Sequence, residues 1–163
     1  MDLREAVAGA LVLAEGPLRD ADVTLRVELP ESLAPVLGRL VQVEQVLVNL
    51  CMNARDALLS RPEDSRELTI AAEAEGERLR LRVSDTGGGI AAAVISRLFH
   101  PFVTSKQAGV GSGLGLSICQ RLMLEMNGDI AARNTDGGRC SRLPSTRRRM
   151  GRWFSRRQWG RAA

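Results

Sequence analysis

Asp85-Thr86-Gly87-Gly88-Gly89-Ile90, followed by Gly111-Ser112-Gly113-Leu114-Gly115-Leu116, is the part of this 163-residue chain on which its fold turns. Glycine supplies the positive φ values that tight loops need and lets backbone amides come close to a phosphate. Either cluster alone is a weak signal. Between them lies Thr104-Ser105-Lys106, and upstream a helix-like run carries Asn49 and Asn53, four residues apart. Together and in this order they point to a nucleotide site. The carboxylate and the side-chain amides add what backbone amides lack: recognition of a base and a ligand for a metal ion.

The flanking patterns place the first cluster at a strand end. Leu68, Ile70 and Ala72 alternate with other residues, as do Leu79, Leu81 and Val83, with Glu75-Gly76-Glu77 between the two runs. This predicts an antiparallel hairpin whose second strand delivers Asp85 at its end. Further upstream, Leu3, Ala6, Val7, Ala10, Leu11 and Ala14 predict a helix over 2–15, with Gly16-Pro17 as a stop signal. Val23, Leu25, Val27 and Leu29 read as one face of a half-buried strand ended by Pro30, and a long helix is expected over 39–59. Residues 86–112 are Gly-rich and irregular, with one short helical turn near 91–98; a loop this long in a compact domain is a functional lid or disordered. A helix over 113–126 and a short strand near 129–133 complete the pattern. The expected class is α+β: a two-layer sandwich with helices on one face of a mixed, mostly antiparallel sheet.

The long helix carries a polar stripe. Gln42, Gln45, Asn49, Asn53 and Asp56 follow one another at steps of three and four among Leu40, Val43, Val46, Leu47, Leu50, Cys51 and Ala54. A solvated face normally carries Lys, Arg and Glu, and Asn is a poor helix former. An ordinary amphipathic helix explains the stripe alone; beside the glycine loops, it becomes one wall of a polar cavity.

Composition sets the remaining bounds. The chain is about one domain long, with no run of 18 apolar residues and no basic N-terminal region leading into an apolar stretch, so neither a membrane span nor a signal peptide is expected. Cys51, Cys119 and Cys140 are odd in number and lack metal-type spacing; the first two sit in apolar helical patterns, as buried thiols of a reducing, cytoplasmic protein would. The net charge of +4 hides an asymmetry. Residues 139–163 contain nine arginines and no acid, which leaves residues 1–138 at −5, and both tryptophans lie in the basic part. The break at Gly137-Gly138 divides the sequence into a domain over 1–138 and an Arg-rich tail over 139–163.

Four segments carry a family resemblance. Leu47-Val48-Asn49-Leu50-Cys51-Met52-Asn53-Ala54-Arg55-Asp56-Ala57 resembles the N box of sensor histidine kinases, and Asp85 to Ile90 their first glycine box. Leu98-Phe99-His100-Pro101-Phe102 with Thr104-Ser105-Lys106 is similar to their F box, and Gly111 to Leu116 to their second glycine box. The resemblance spans about residues 2–138, is strongest to the nitrogen-regulation and dicarboxylate-sensor type, and implies the Bergerat ATP-binding fold shared with gyrase and MutL.

The resemblance implies a set of roles. Asn53 is the Mg²⁺ ligand, reasonable for an ion that takes one or two protein oxygens beside phosphate and water. Asn49 stands where ATP-hydrolysing relatives have a glutamate base; an amide cannot accept a proton from water at neutral pH, which favours phosphoryl transfer over hydrolysis. Asp85 accepts from the adenine amino group, where guanine presents an oxygen. Gly87 and Gly89 let the backbone pass the base, while Asp56 holds a water or a nucleotide hydroxyl, or is a surface charge. Gly111, Gly113, Leu114 and Gly115 lead into a helix whose first amides face phosphate. Lys106, with Asn49, belongs to the transfer step, stabilising the terminal phosphate; a mobile, solvated lysine is its alternative. His100, the only histidine, precedes Pro101 in the expected lid and is rejected as phosphoacceptor. The acceptor histidine is therefore expected on a dimerisation domain outside this sequence, with a response regulator as the indirect partner.

The alternatives are a non-catalytic truncated domain, a GHKL-type ATPase, or a serine kinase of the anti-sigma type. In the family a final apolar strand should follow Gly137-Gly138, whereas here Arg139-Cys140-Ser141-Arg142-Leu143-Pro144 turns Arg-rich. The tail reads as an out-of-frame extension, an arm for nucleic acid or an anionic membrane, or a partner-binding basic helix; a missing strand would expose a sheet edge.

Overall fold

A computed structural model describes residues 1–76, 78–103, 113–135 and 138–146. Lys106 and Gly111, and the tail from 147 on, lie outside the described residues. Helix α1 (Leu3–Arg19) leads to strand β1 (Thr24–Glu28), and the long helix α2 (Leu40–Leu58) to the hairpin β2 (Glu67–Glu75) and β3 (Arg78–Asp85). A single turn, α3 (Ala92–Ile95), precedes α4 (Gly115–Glu125), β4 (Ala131–Thr135) and β5 (Gly138–Thr146). The five strands form one sheet in the order β1-β2-β3-β5-β4. Only β1 and β2 pair in parallel, through the crossover that α2 provides; the other three pairs are antiparallel.

Side-chain alternation sets the layers. Leu79, Leu81, Val83 and Asp85 are buried, while Arg78, Arg80, Arg82 and Ser84 point away from the core. Leu68, Ile70 and Ala72 join the first set in one core with Val46, Leu47, Leu50, Ala54 and Leu58 of α2 and with Ala6, Val7, Ala10 and Ala14 of α1, which packs along α2. The resulting core is aliphatic. Cys51 and Cys119 lie wholly inside it as free thiols, and burial pushes each up to about 11. Among the described residues, no helix is long and apolar enough to cross a membrane.

The structure corrects several boundaries. Gly16-Pro17 does not stop α1, which runs on to Arg19 with Pro17 inside it. Proline's fixed φ suits a helix, and in the last turn its missing N–H costs one bond while the fully packed Leu18 holds that turn to the core. Helix α4 starts at Gly115 rather than 113, because Gly113 takes a left-handed φ of 65°. In β1, Val27 is 43% exposed, since an edge strand is covered less completely.

The largest difference lies at the end of the sheet. Strand β5 takes in residues 139–146, assigned to the tail by composition, and occupies the place between β3 and β4. Ladder pairing uses backbone groups, which an Arg-rich sequence supplies as well as an apolar one. A final strand is therefore present, and at this end of the sheet β4, not β3, is the edge.

Candidate functional site

The end of β3 and the middle of α2 meet below the loop that follows Asp85. Leu50, Asn53 and Ala54 of α2, Val83 and Asp85 of β3, Leu98 and Leu116 line a cavity of about 290 Å³ there, open to solvent. Its walls are mostly aliphatic, with one carboxylate and one carboxamide, as in a pocket that holds a flat apolar ring and reads it at few points.

Asp85 is the only charged side chain among the buried residues described, at 7% exposure. Its Oδ1 accepts the Gly87 amide at 2.9 Å, closing a local turn that sets the course of the loop. A Cβ on Gly87 would sit 2.7 Å from that oxygen and 3.1 Å from Ala57 Cβ, so glycine is needed for the loop to rest on α2. Thr86 bolts the loop to the start of β2: its hydroxyl donates to Ser65 O at 2.5 Å and accepts the Glu67 amide at 3.0 Å, and its own amide donates to Glu67 O. At the far end, the Asn134 carboxamide of β4 accepts from the Ile90 amide at 2.7 Å and donates to the Ile90 carbonyl at 2.8 Å. Gly89, with φ 74°, passes directly beneath it.

The amides of the α2 stripe take separate places. Asn53 faces the cavity, and no hydrogen bond joins its carboxamide to another group among the described residues. Asn49, one turn earlier, does not line the cavity. It faces the first turn of α4, where its Oδ1 lies 3.9 Å from the point a Gly115 Cβ would occupy, while the Cys119 thiol donates to Val46 O. Asp56 is turned to its neighbour, accepting from Arg55 Nε at 3.0 Å and Nη2 at 2.6 Å. Thus only Asn53 and Asp85 share one cavity; the expected single polar wall becomes three separate contacts.

The segment beyond Ile90 closes one side. Phe102 donates its amide to Gly113 O at 3.1 Å, and a Cβ on Gly113 would lie 2.7 Å from the Phe102 carbonyl carbon. Residues 103 and 113 are thereby brought together at the base of the segment that contains Lys106 and Gly111. Leu114 caps α4 without a side-chain hydrogen bond, so the first-turn amides from Gly115 on meet no capping side chain from it. His100 is exposed and does not line the cavity. Thr86 and Asn134 escaped the sequence reading. Thr86 reads only as part of a glycine box, and Asn134 lies just past the expected strand, 44 residues from its partner.

An Mg²⁺ ion fits this donor set in one respect. No group of three or more His, Cys, Asp or Glu among the described residues could cage a metal, whereas one free amide oxygen suits an ion that takes most of its ligands from phosphate and water.

Known proteins share the fold and the sequence. Residues 38–147 match the family described as Histidine kinase-, DNA gyrase B-, and HSP90-like ATPase. The two-component sensor PprA of Pseudomonas aeruginosa is 40% identical over 136 residues, 82% of this chain and 15% of PprA. The sensor protein FixL of Bradyrhizobium diazoefficiens is 39% identical over 83% of this chain and 26% of its own length, and the C4-dicarboxylate transport sensor DctB of Rhizobium meliloti 37% over 83% and 21%. The chain thus spans a quarter or less of most of these sensors. The catalytic domain of histidine kinase ThkA superposes with a TM-score of 0.78 at 27% identity, covering 90% of this chain and 93% of that domain. With the buried Asp85 and the glycine loop above α2, these likenesses make the chain a member of the histidine kinase-, DNA gyrase B- and HSP90-like ATPase family, an ATP-binding catalytic domain of the sensor histidine kinase kind.

Proposed function

We propose that this domain binds Mg·ATP in the cavity between α2 and the end of β3 and donates the γ-phosphate to a histidine outside this sequence. One observation carries the reading: Asp85, buried, and Asn53, unpaired within the described residues, line the same cavity. Asp85 accepts from the adenine amino group, an interaction that guanine, with an oxygen there, cannot make. Gly87 and Gly89 bring the loop backbone over the base. Asn53 is the residue that would hold Mg²⁺, whose charge offsets that of the phosphates. Gly111, Gly113, Leu114 and Gly115 bring the first amides of α4 to the phosphates, with Lys106 at the terminal one and Asp56 on a water or hydroxyl at the rim.

Asn49 favours transfer over hydrolysis: a carboxamide turned towards the first turn of α4 offers no base for water. The partner is a histidine-bearing dimerisation domain, with a response regulator downstream, in the cytoplasm. Likeness to ThkA, solved in complex with response regulator protein TrrA, supports that partnership. We further assign the catalytic unit to residues up to 146 and the tail to those that follow.

The test mixes the chain with Mg²⁺, γ-labelled ATP and the isolated phosphoacceptor domain of a related sensor, and follows binding by calorimetry. Saturable binding and acid-labile label on the acceptor are expected. A folded sample that binds no nucleotide at millimolar concentration would sink the reading, and steady phosphate release without acceptor would transfer it to the ATPases.

A further inference from the structure

The glycine loop is held from a strand that the nucleotide reading does not use. We propose that Asn134 is a positioning residue of the nucleotide site, clamping Ile90 so that the loop from Asp85 keeps its binding shape before nucleotide arrives. The proposal rests on the nucleotide reading above.

The geometry is specific to this residue type. Ile90 has its amide and its carbonyl engaged by one carboxamide, at 2.7 and 2.8 Å. This is the reciprocal pair that two residues make in an antiparallel ladder, with the Asn134 side chain in place of a backbone. Asn and Gln present a donor and an acceptor side by side on one planar group; an aspartate offers acceptors alone and would face the Ile90 carbonyl with a second oxygen. Position matters as well. In register, Asn134 pairs with residue 139 of β5, and residue 139 pairs with Asp85, so the clamp and the base-reading carboxylate stand on one row across three strands. The loop leaves that row at Asp85 and is caught again at Ile90, with Thr86 bolted to Glu67 on the opposite side. Gly89 is explained from the same contact: a Cβ there would lie 3.1 Å from Asn134 Oδ1, at a φ of 74° that few other residues tolerate.

A loop fixed at both ends binds without an ordering cost. When the clamp is removed, only a fraction of molecules holds the competent shape, and the apparent Kd rises by the inverse of that fraction. Loss of two hydrogen bonds of ordinary strength puts the expected weakening at about tenfold.

The experiment uses the whole 163-residue chain. Calorimetry measures Mg·ATP and adenosine binding to wild type, Asn134→Ala and Asn134→Asp, while hydrogen exchange by NMR follows the Ile90 amide without nucleotide. We expect a protected Ile90 amide in wild type, and in both variants its rapid exchange with equal loss of affinity for ATP and adenosine. The equal loss separates this role from a phosphate contact, and an unchanged melting temperature separates it from a general loss of fold. Should neither variant fold, the wild-type exchange decides alone: an unprotected Ile90 amide overturns the clamp. Variants that bind as tightly as wild type overturn it too. Wild type that binds no adenine nucleotide instead overturns the underlying reading, a result distinct from either.

Discussion

Asp85 is a carboxylate at the end of a strand whose other inward residues are Leu79, Leu81 and Val83. Burying such a group calls for partners to its oxygens, and one of them already serves the Gly87 amide. Replacing it with asparagine keeps an acceptor for that amide and the volume of the side chain, but turns a charge-assisted acceptor into a neutral amide. Since hydrogen bonds to charged groups contribute about 1.5–3 kcal/mol, Asp85→Asn is expected to weaken ATP about ten- to a hundredfold and to narrow the preference over GTP. Competition calorimetry with the two nucleotides checks this. An unchanged preference would remove Asp85 from base reading.

At the scale of elements, α2 links the core to the site. Its Val46, Leu47, Cys51 and Leu58 are fully packed, while Asn53 on another face lines the cavity. Two thiols buried between helices and sheet, Cys51 and Cys119, follow from that packing. Desolvation raises each from 9.0 to about 11. The unfolded chain therefore loses these protons first as pH climbs. Their contribution to stability is complete below pH 9 and declines from there towards 11. In a Cys140→Ala background at pH 8, iodoacetamide should label neither thiol in the native protein and both in denaturant. Labelling of either thiol in the native protein at the rate of a free cysteine would contradict the packing of α2 against α4.

For the whole molecule, the decisive element is β5. It lies between β3 and β4, and it sets the row that carries Asp85 and Asn134. A chain ending at residue 146 keeps the ladder on both sides, whereas one ending at 137 leaves β3 with an open edge and β4 without a neighbour. The longer truncation is expected to melt cooperatively and bind nucleotide. The shorter one should lose the cooperative transition, as read by calorimetry and circular dichroism. A stable, nucleotide-binding 1–137 fragment would show that the site does not depend on β5.

Local chemistry was readable along the chain. Alternation at 79–85 and three-and-four spacing at 40–58 depend on neighbours in sequence, so they announced a strand bearing Asp85 and a helix bearing Asn53, and the resemblance of the boxes supplied the nucleotide. What needed the folded chain were contacts between distant segments. Pro17 stays in its helix because Leu18 is anchored by the core, and β5 forms because its backbone completes a sheet that composition does not register. Asn49 and Asn53, alike in the stripe, part because one meets α4 and the other the cavity. Asn134 reaches Ile90 across 44 residues because β5 stands between its strand and β3. Periodicity records what each residue prefers nearby, and the tertiary structure decides which distant partner satisfies it.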